Sequence, residues 1–492
     1  MSRAGGRGLR AMNTHRTDSR WTSLIVLCVG VLMIVLDATV VNVALPSIKQ
    51  DLDFSQSSLA WVVNAYLIAF GGLLLLAGRL GDLIGRRTVF LTGLAGFVVA
   101  SLLCGAAQSQ EMLIAARFIQ GIAGALTSAV ILGMIVTMFT EPREQAKAIG
   151  VYGFVASSGG SVGLLAGGVL TQAINWHWIF FINVPIGIAT AVFALRVLPK
   201  DKGLGFGGGA DVLGAALVTG ALMLLVYTIV EPAAKYGWGA GRTLALGAGA
   251  VALLVAFLVR EATAANPLIP LRIFRSRNIS GANAVQALAV AGMFGMFFLG
   301  ALYLQQILGY DALQTGLAFL PATLVMAALS LGYSEKLIMR FGAQTTLVPG
   351  LVLIGVSLGL FALAPVDGVY VVHVLPVMVL LGAGAGIAFP ALMTLAMSDA
   401  TPQDAGLASG LVNTTVQVGG AIGLAVLATL SATHSEQLIA DGAARAEALN
   451  DGYHLAFLIG AALVAVAITV AVTVLRKPRE AAERLSPAVS EA

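Results

Sequence analysis

Long apolar runs follow one another along almost the whole chain, with only short polar segments between them. A helix needs roughly 20 apolar residues to cross the hydrocarbon core of a bilayer, whereas a barrel strand needs only ~9–11. Fourteen runs of helix-spanning size can be marked. They predict membrane helices at residues 22–45, 59–78, 88–107, 112–137, 146–171, 176–197, 210–230, 241–260, 281–305, 314–332, 345–364, 371–397, 405–432 and 453–475. The pattern therefore predicts an all-α integral membrane protein.

Composition supports the same fold class. Of the 492 residues, 58% are hydrophobic and 11% are charged, whereas a soluble domain carries roughly 25% charged residues. A soluble enzyme of this size could not cover its surface with so few charges. The two cysteines, Cys28 and Cys104, lie inside apolar runs and predict neither a disulfide framework nor a zinc site.

The distribution of Lys and Arg predicts the orientation. If the N-terminus is cytoplasmic and the spans alternate, 23 of the 28 Lys and Arg residues fall in cytoplasmic segments and four fall outside. Cytoplasmic loops carry such an excess of positive charge, so we expect both termini in the cytoplasm of a multi-pass cell-membrane protein. The formal net charge of +4 is then explained by topology, and no nucleic-acid partner is expected.

An internal repeat relates the two ends of the chain. Six residues of the predicted fifth span and the segment before it recur in the same order near the thirteenth: Pro142, Glu144, Gly150, Gly159, Gly160 and Gly163 return as Pro402, Asp404, Gly410, Gly419, Gly420 and Gly423. The segment Gly78–Arg86 has a weaker echo at Gly332–Arg340. Parallel repeats with a site between them at mid-membrane are a transporter design.

The repeat predicts two six-helix bundles in parallel orientation plus two extra central helices, a 6+2+6 arrangement. The expected divisions are a cytoplasmic N-terminal tail at 1–21, an N-terminal bundle at 22–197, a two-helix insert with its flanking loops at 198–280, a C-terminal bundle at 281–475 and a cytoplasmic C-terminal tail at 476–492.

The loop after span two combines glycines with paired charges. Its candidate residues are Gly78, Arg79, Gly81, Asp82, Gly85, Arg86 and Arg87. Glycine allows a tight turn and close backbone approach, and Asp82 can pair with an arginine or meet a helix N-terminus. Such a charge clasp can hold one conformation and release for another. The string resembles the signature loop of the major facilitator superfamily.

Two charged residues lie within predicted spans. Asp37 is the only carboxylate well inside a span, and an ionised carboxylate in hydrocarbon must be paired, face water or take up a proton. Each of these states is useful for proton coupling. Arg117 shares one face of span four with Gln120, Gly121 and Gly124, and a guanidinium that stays charged can change the proton affinity of a partner carboxylate.

The strings around these residues resemble one branch of the superfamily, the fourteen-span drug:proton antiporters of the EmrB/QacA type. The resemblance is carried by Leu36–Pro46 in span one, Arg117–Gly124 in span four, and the small-residue ridge of span five formed by Gly159, Gly163, Gly167 and Gly168. The ridge predicts close helix packing. Leu164 stands where this branch usually has proline, so no proline bend is expected there.

This resemblance implies a proton-coupled antiporter that exports amphipathic drugs, dyes or secondary metabolites by alternating access, with Asp37 and Arg117 in coupling. Polar and soft side chains that could line its cavity are Asn42, Asn64, Gln286, Met293, Met296, Phe297, Asn413 and Gln417. The expected partners are a small substrate, protons and lipid, and the expected state is a monomer without cofactor or metal. Two alternatives stay open: a dedicated exporter of one metabolite or lipid precursor, and a membrane sensor that does not transport.

Overall fold

Helices account for every regular element in the part of the chain that the structure describes. The computed structural model describes residues 5–55, 57–201, 203, 205, 209–399 and 405–476. The main helices are α1 (Gly5–Asp51), α2 (Ser58–Ile84), α3 (Arg86–Gly105), α4 (Gln110–Met138), α5 (Pro142–Ala173), α6 (Trp178–Val197), α7 (Val212–Tyr236), α8 (Gly241–Thr263), α9 (Arg277–Ile307), α10 (Ala312–Gly332), α11 (Ala343–Phe361), α12 (Tyr370–Ser398), α13 (Ala405–Ala440) and α14 (Arg445–Thr473). Two short helices, Leu271–Arg275 and Ser334–Phe341, lie before α9 and α11.

Each predicted apolar run coincides with one of these helices. Within the described residues, 13 helices are long and apolar enough to cross a membrane. Helix α5 contributes only its segment Val162–Ala173 to that comparison, as a shorter apolar helix. The all-helical membrane fold is therefore confirmed, whereas the count of fourteen spans stays a prediction.

The ends of the chain differ from the predicted divisions in one respect. Helix α1 begins at Gly5, so residues 5–21 of the predicted N-terminal tail continue the first helix. Residues 1–4, the tail beyond Arg476, and the repeat members Pro402 and Asp404 lie outside the described residues.

Several helices begin at polar side chains that accept hydrogen bonds from their first turn. Ser109 accepts from the Met112 amide at the start of α4, and Ser276 accepts from the Ile279 amide at the start of α9. Asp311 forms a capping box at the start of α10. Such caps satisfy amide groups that have no partner within the helix, and they place the helix boundaries close to those that the sequence predicts.

Helix packing repeats between the two ends of the chain. In the first group, α1 packs on α5, α4 packs on α2 and α3, and α6 packs on α1 and α3. In the second group, α9 packs on α13, α12 packs on α10 and α11, and α14 packs on α9 and α11. The two groups meet where α5 contacts α10 and where α2 contacts α13.

The helices α7 and α8 pack on each other beside this arrangement. Helix α7 also contacts α2, where Gly72 faces Thr219 so closely that a Cβ at Gly72 would lie 2.5 Å from the threonine hydroxyl. The additional pair of helices is therefore packed against the α2 side of the molecule, close to the contact between α2 and α13.

Candidate functional site

A buried ion pair joins α1 to α4. The Arg117 Nη1 atom lies 2.6 Å from the Asp37 Oδ2 atom, and the two side chains are 1% and 0% exposed. A buried charge is strongly unfavourable unless an opposite charge and hydrogen bonds compensate it. The structure therefore brings together the two charged residues that the sequence places inside predicted spans.

Polar side chains from other helices complete the hydrogen bonding of this pair. The second carboxylate oxygen, Asp37 Oδ1, accepts from Gln120 Nε2 and from Asn183 Nδ2, each at 2.8 Å. Arg117 Nη1 also donates to Gln120 Oε1 at 2.6 Å, and Arg117 Nε donates to the Val62 carbonyl at 2.9 Å. The resulting network ties α1, α2, α4 and α6 together.

Two members of this network were not predicted from the sequence. Asn183 of α6 and Ser101 of α3 are both 0% exposed, and Ser101 Oγ accepts from Gln120 Nε2 at 2.9 Å. Both are isolated polar residues in apolar runs, which is a sequence signal for a buried polar contact. That signal does not name the partner.

An aromatic ring covers the guanidinium on its other side. The Arg117 Cζ atom lies 4.4 Å from the centroid of the Tyr66 ring and 5.6 Å from that of Phe180. At these distances a cation is attracted to the ring face. Tyr66 therefore stabilises Arg117 as a charged group.

A cavity of about 1240 Å³ lies between the two groups of helices. Of the predicted cavity residues, Asn42, Phe297, Asn413 and Gln417 line it. Tyr66 lines it as well, whereas Asp37 and Arg117 do not. The ion pair therefore lies one aromatic side chain behind the cavity wall.

The structure places the other four predicted cavity residues away from this lining. Asn64, Gln286, Met293 and Met296 are 0%, 6%, 7% and 1% exposed and pack between helices. Both amide atoms of Asn64 are buried without a hydrogen-bond partner in the described part of the chain. Their position favours helix packing over contact with a ligand.

The loop between α2 and α3 forms the predicted charge pair at one end of the cavity. Asp82 Oδ1 lies 3.1 Å from Arg86 Nη2, and Arg86 Nη1 donates to the Gly133 carbonyl of α4 at 3.0 Å. Arg79 Nε donates to the Gly209 carbonyl at 3.2 Å. The loop thereby links α2 to α4 and to the segment that precedes α7.

The turn of this loop depends on Gly85 and on a carboxylate from another segment. Gly85 has φ +96°, a backbone conformation that favours glycine. Asp201 accepts from the amides of Arg86 at 2.6 Å and Arg87 at 3.1 Å, so its negative charge meets the N-terminus of α3. The sequence suggested Asp82 for such a contact, but the structure uses Asp201, which sequence reasoning missed.

The predicted glycines lie at helix contacts. Gly159, Gly163 and Gly167 of α5 face α1, where a Cβ would meet Val35, Leu36 and Val40. Gly121 and Gly124 of α4 face Tyr66 and Phe70 of α2, and Gly168 faces α10. Leu164 lies within the uninterrupted helix α5, with its carbonyl against Gly316 of α10. In the described residues, no group of three or more His, Cys, Asp or Glu side chains is arranged to hold a metal ion.

Comparison with known proteins places this geometry in a family. The sequence pattern of the Major Facilitator Superfamily matches residues 27–424. The puromycin resistance protein pur8 of Streptomyces alboniger is 39% identical over 453 residues, which cover 90% of both chains. The cephamycin export protein CmcT of Amycolatopsis lactamdurans is 39% identical over 420 residues, which cover 85% of this chain and 86% of that protein.

Solved structures show the same fold at low sequence identity. A bacterial homologue of the human lysosomal transporter Spinster superposes with a TM-score of 0.66 at 17% identity, covering 94% of this chain and 99% of that one. Together, the match to the family pattern, the relatives of nearly equal length and this superposition show that the chain belongs to the major facilitator superfamily.

Proposed function

We propose that this protein is a proton-coupled antiporter that exports drugs or secondary metabolites across the cell membrane by alternating access. The observation that carries the proposal is the Asp37–Arg117 pair, which is fully buried directly behind the wall of a central cavity. An intramembrane carboxylate that can exchange its ionic partner for a proton is the minimal requirement for coupling.

The relatives support the direction of transport and the class of substrate. Besides the two proteins described above, a tetracenomycin C resistance and export protein of Streptomyces glaucescens is 36% identical over 422 residues. Their names refer to resistance against puromycin, to export of cephamycin, and to resistance against and export of tetracenomycin C. Two of the three names state export, which supports efflux of a small molecule.

The proposed architecture is the fourteen-span, 6+2+6 arrangement of the EmrB/QacA branch, acting as a monomer. In it, α1–α6 and α9–α14 form the two bundles, α7 and α8 form the insert, and both termini are cytoplasmic. The repeated helix pairings support the two bundles. The excess of Lys and Arg in the segments assigned to the cytoplasm supports the orientation.

The described geometry fits an inward-open state in this orientation. The lining of the cavity extends to Arg79 and Asp82 in the cytoplasmic loop. Toward the opposite side, Gln305 Nε2 of α9 donates to the Val43 carbonyl of α1 at 2.9 Å, and Gly168 of α5 lies against Ala312 of α10. Rocking of the bundles would open these contacts and close the loop end.

The coupling step follows from the network around Asp37. Protonation of the carboxylate neutralises it and removes the counter-charge of Arg117, which keeps its hydrogen bonds to Gln120 and Val62 and its contact with Tyr66. The attraction that holds the guanidinium against α1 is then weaker. The relative stability of the inward-open and outward-open states therefore changes with the protonation of Asp37.

The test is transport by purified protein in vesicles. Protein reconstituted with its cytoplasmic face outward should accumulate puromycin inside, above the level reached in protein-free vesicles, when the lumen is acidic relative to the bath. Dissipating the gradient with a K⁺/H⁺ exchanger should abolish accumulation. Uptake that does not depend on the pH gradient would contradict proton coupling. Testing several unrelated compounds distinguishes broad efflux from export of one metabolite.

A further inference from the structure

Formal charges in the described lining of the cavity are confined to its loop end. They are Arg79, Asp82 and Arg86 around the α2–α3 loop and Asp211 at the start of α7, two of each sign. Asp82 pairs with Arg86, and Asp211 Oδ1 lies 3.1 Å from Arg260 Nε. No formal charge occurs among the described lining residues deeper in the cavity.

The deeper lining combines aromatic and aliphatic surface with uncharged polar groups. Phe70, Phe294 and Phe297 supply aromatic faces. Among the polar groups, Gln417 Oε1 is buried and has no hydrogen-bond partner in the described part of the chain. Gln417 lies on α13, which meets α2 where Gln417 contacts Gly71.

The charges of Asp37 and Arg117, which lie behind the cavity wall, already have partners. Arg117 contacts Asp37, Gln120 and the Val62 carbonyl, and the Tyr66 ring separates it from the cavity. A ligand in the cavity therefore meets the side chain of Tyr66 and not the guanidinium or the carboxylate.

A charged ligand that packs against this deeper lining would lose part of its hydration without meeting an opposite charge, which is unfavourable. An uncharged ligand loses little hydration free energy there. A donor group on it can form a hydrogen bond with the unpartnered Oε1 atom of Gln417. We propose that the cavity takes uncharged amphipathic molecules with an aromatic body, which donate a hydrogen bond to Gln417 Oε1. This inference rests on the proposed efflux function and specifies its substrate class.

The charge of the substrate determines which part of the proton gradient drives its export. If an uncharged molecule leaves while one proton enters, each cycle moves one positive charge inward. The membrane potential then drives export together with the pH gradient. Export of a monovalent cation by the same exchange would move no net charge and would use the pH gradient alone.

Binding can be tested with probes that differ in one group. N-phenyl-1-naphthylamine is uncharged and carries one N–H donor, its N-methyl derivative lacks the donor, and 1-anilinonaphthalene-8-sulfonate adds a negative charge. Tetraphenylphosphonium supplies a permanent positive charge. Binding would be measured with full-length protein in nanodiscs, without any gradient, by fluorescence or by competition, and corrected with empty nanodiscs.

We expect the uncharged donor probe to bind most tightly. Gln417→Leu should weaken its binding by about three- to tenfold, the usual effect of one neutral hydrogen bond. The N-methyl probe should bind equally to wild type and Gln417→Leu. Gln437→Leu, the same change at an exposed position of α13, serves as the matched control and should leave binding unchanged.

Four results decide between these proposals. Tighter binding of tetraphenylphosphonium or of the sulfonate than of the uncharged probe would overturn the proposal, as would unchanged binding in Gln417→Leu. Gradient-driven export of tetraphenylphosphonium with no export of the uncharged probes would also overturn it, while leaving the efflux function intact. Selective binding of the uncharged probe without any gradient-driven transport would support the binding site and refute the efflux function.

Discussion

Replacing Asp37 with Asn removes the carboxylate of the buried network while keeping the shape of the side chain. The amide cannot satisfy the site that the carboxylate satisfies. Asp37 Oδ1 faces two donors, Gln120 Nε2 and Asn183 Nδ2, and Oδ2 faces a third, Arg117 Nη1. In either orientation of the substituted side chain, its amide NH₂ group would face at least one of these donors.

The expected losses of stability and of substrate accumulation follow from this geometry. Arg117 is 1% exposed, and removing one partner of a buried ion pair typically costs about 3–5 kcal/mol. We therefore expect Asp37→Asn to insert in the membrane but to be less stable than wild type. For one proton per uncharged substrate, a gradient of about two pH units supports roughly 100-fold accumulation, and in Asp37→Asn this ratio should fall to about one.

The assay compares wild type and Asp37→Asn in reconstituted vesicles at matched protein amounts. Accumulation against the gradient should disappear in the variant, whereas downhill exchange of labelled for unlabelled substrate should persist. Asp441→Asn, the same change at an exposed loop position, should behave as wild type. The double variant Asp37→Asn/Arg117→Gln removes the unpaired charge, and it should regain thermal stability without regaining accumulation.

Undiminished uphill accumulation by Asp37→Asn would refute the reasoning. The coupling carboxylate would then be sought elsewhere. Asp211 is the nearest alternative, because it is buried and lines the cavity, whereas Glu231 at the end of α7 is exposed.

Three further predictions concern the loop, the helix contacts and the topology. Asp82→Asn breaks the pair with Arg86 at the loop end of the cavity, so it should lower the transport rate severalfold in single-turnover measurements and leave the dissociation constant of the substrate within about twofold. Gly163→Ala places a methyl group against Thr39 and Leu36 of α1, so overpacking should destabilise the protein by about 1–3 kcal/mol in thermal unfolding, whereas Gly150→Ala at an open position should not. A reporter that is active only outside the membrane, fused to Ala492, should give no signal, and a strong signal would contradict the cytoplasmic C-terminus.

The sequence predicts the helices well because each boundary has a local cause. Apolar runs of about 20 residues must be helical in a bilayer, where no water is present to satisfy the backbone. Polar caps such as Ser109 and Ser276 mark where the helices begin. Arg117 and Asp37 were recognisable one at a time, since a charge within an apolar run is rare and needs a partner.

What the sequence could not predict is the rotation of each helix about its axis. A soluble helix shows its buried face as an apolar stripe, but a helix that is apolar all round carries no such stripe. Gln286 and Gln417 are therefore alike in sequence, although one packs between helices and the other lines the cavity. For the same reason Asn183 could not be connected with Asp37, which lies far away in the chain and on another helix.

The position of Tyr66 gives the clearest physical argument for coupling at a distance. Its ring centroid lies 4.4 Å from Arg117 Cζ, and its side chain forms part of the cavity wall. In the proposed mechanism, protonation of Asp37 acts on one side of this residue and a substrate acts on the other. The proton and the substrate therefore need not share a binding site. Each of them changes the conformation that the Tyr66–Arg117 contact favours. Because binding free energies are reciprocal, the proton and the substrate then weaken each other's binding.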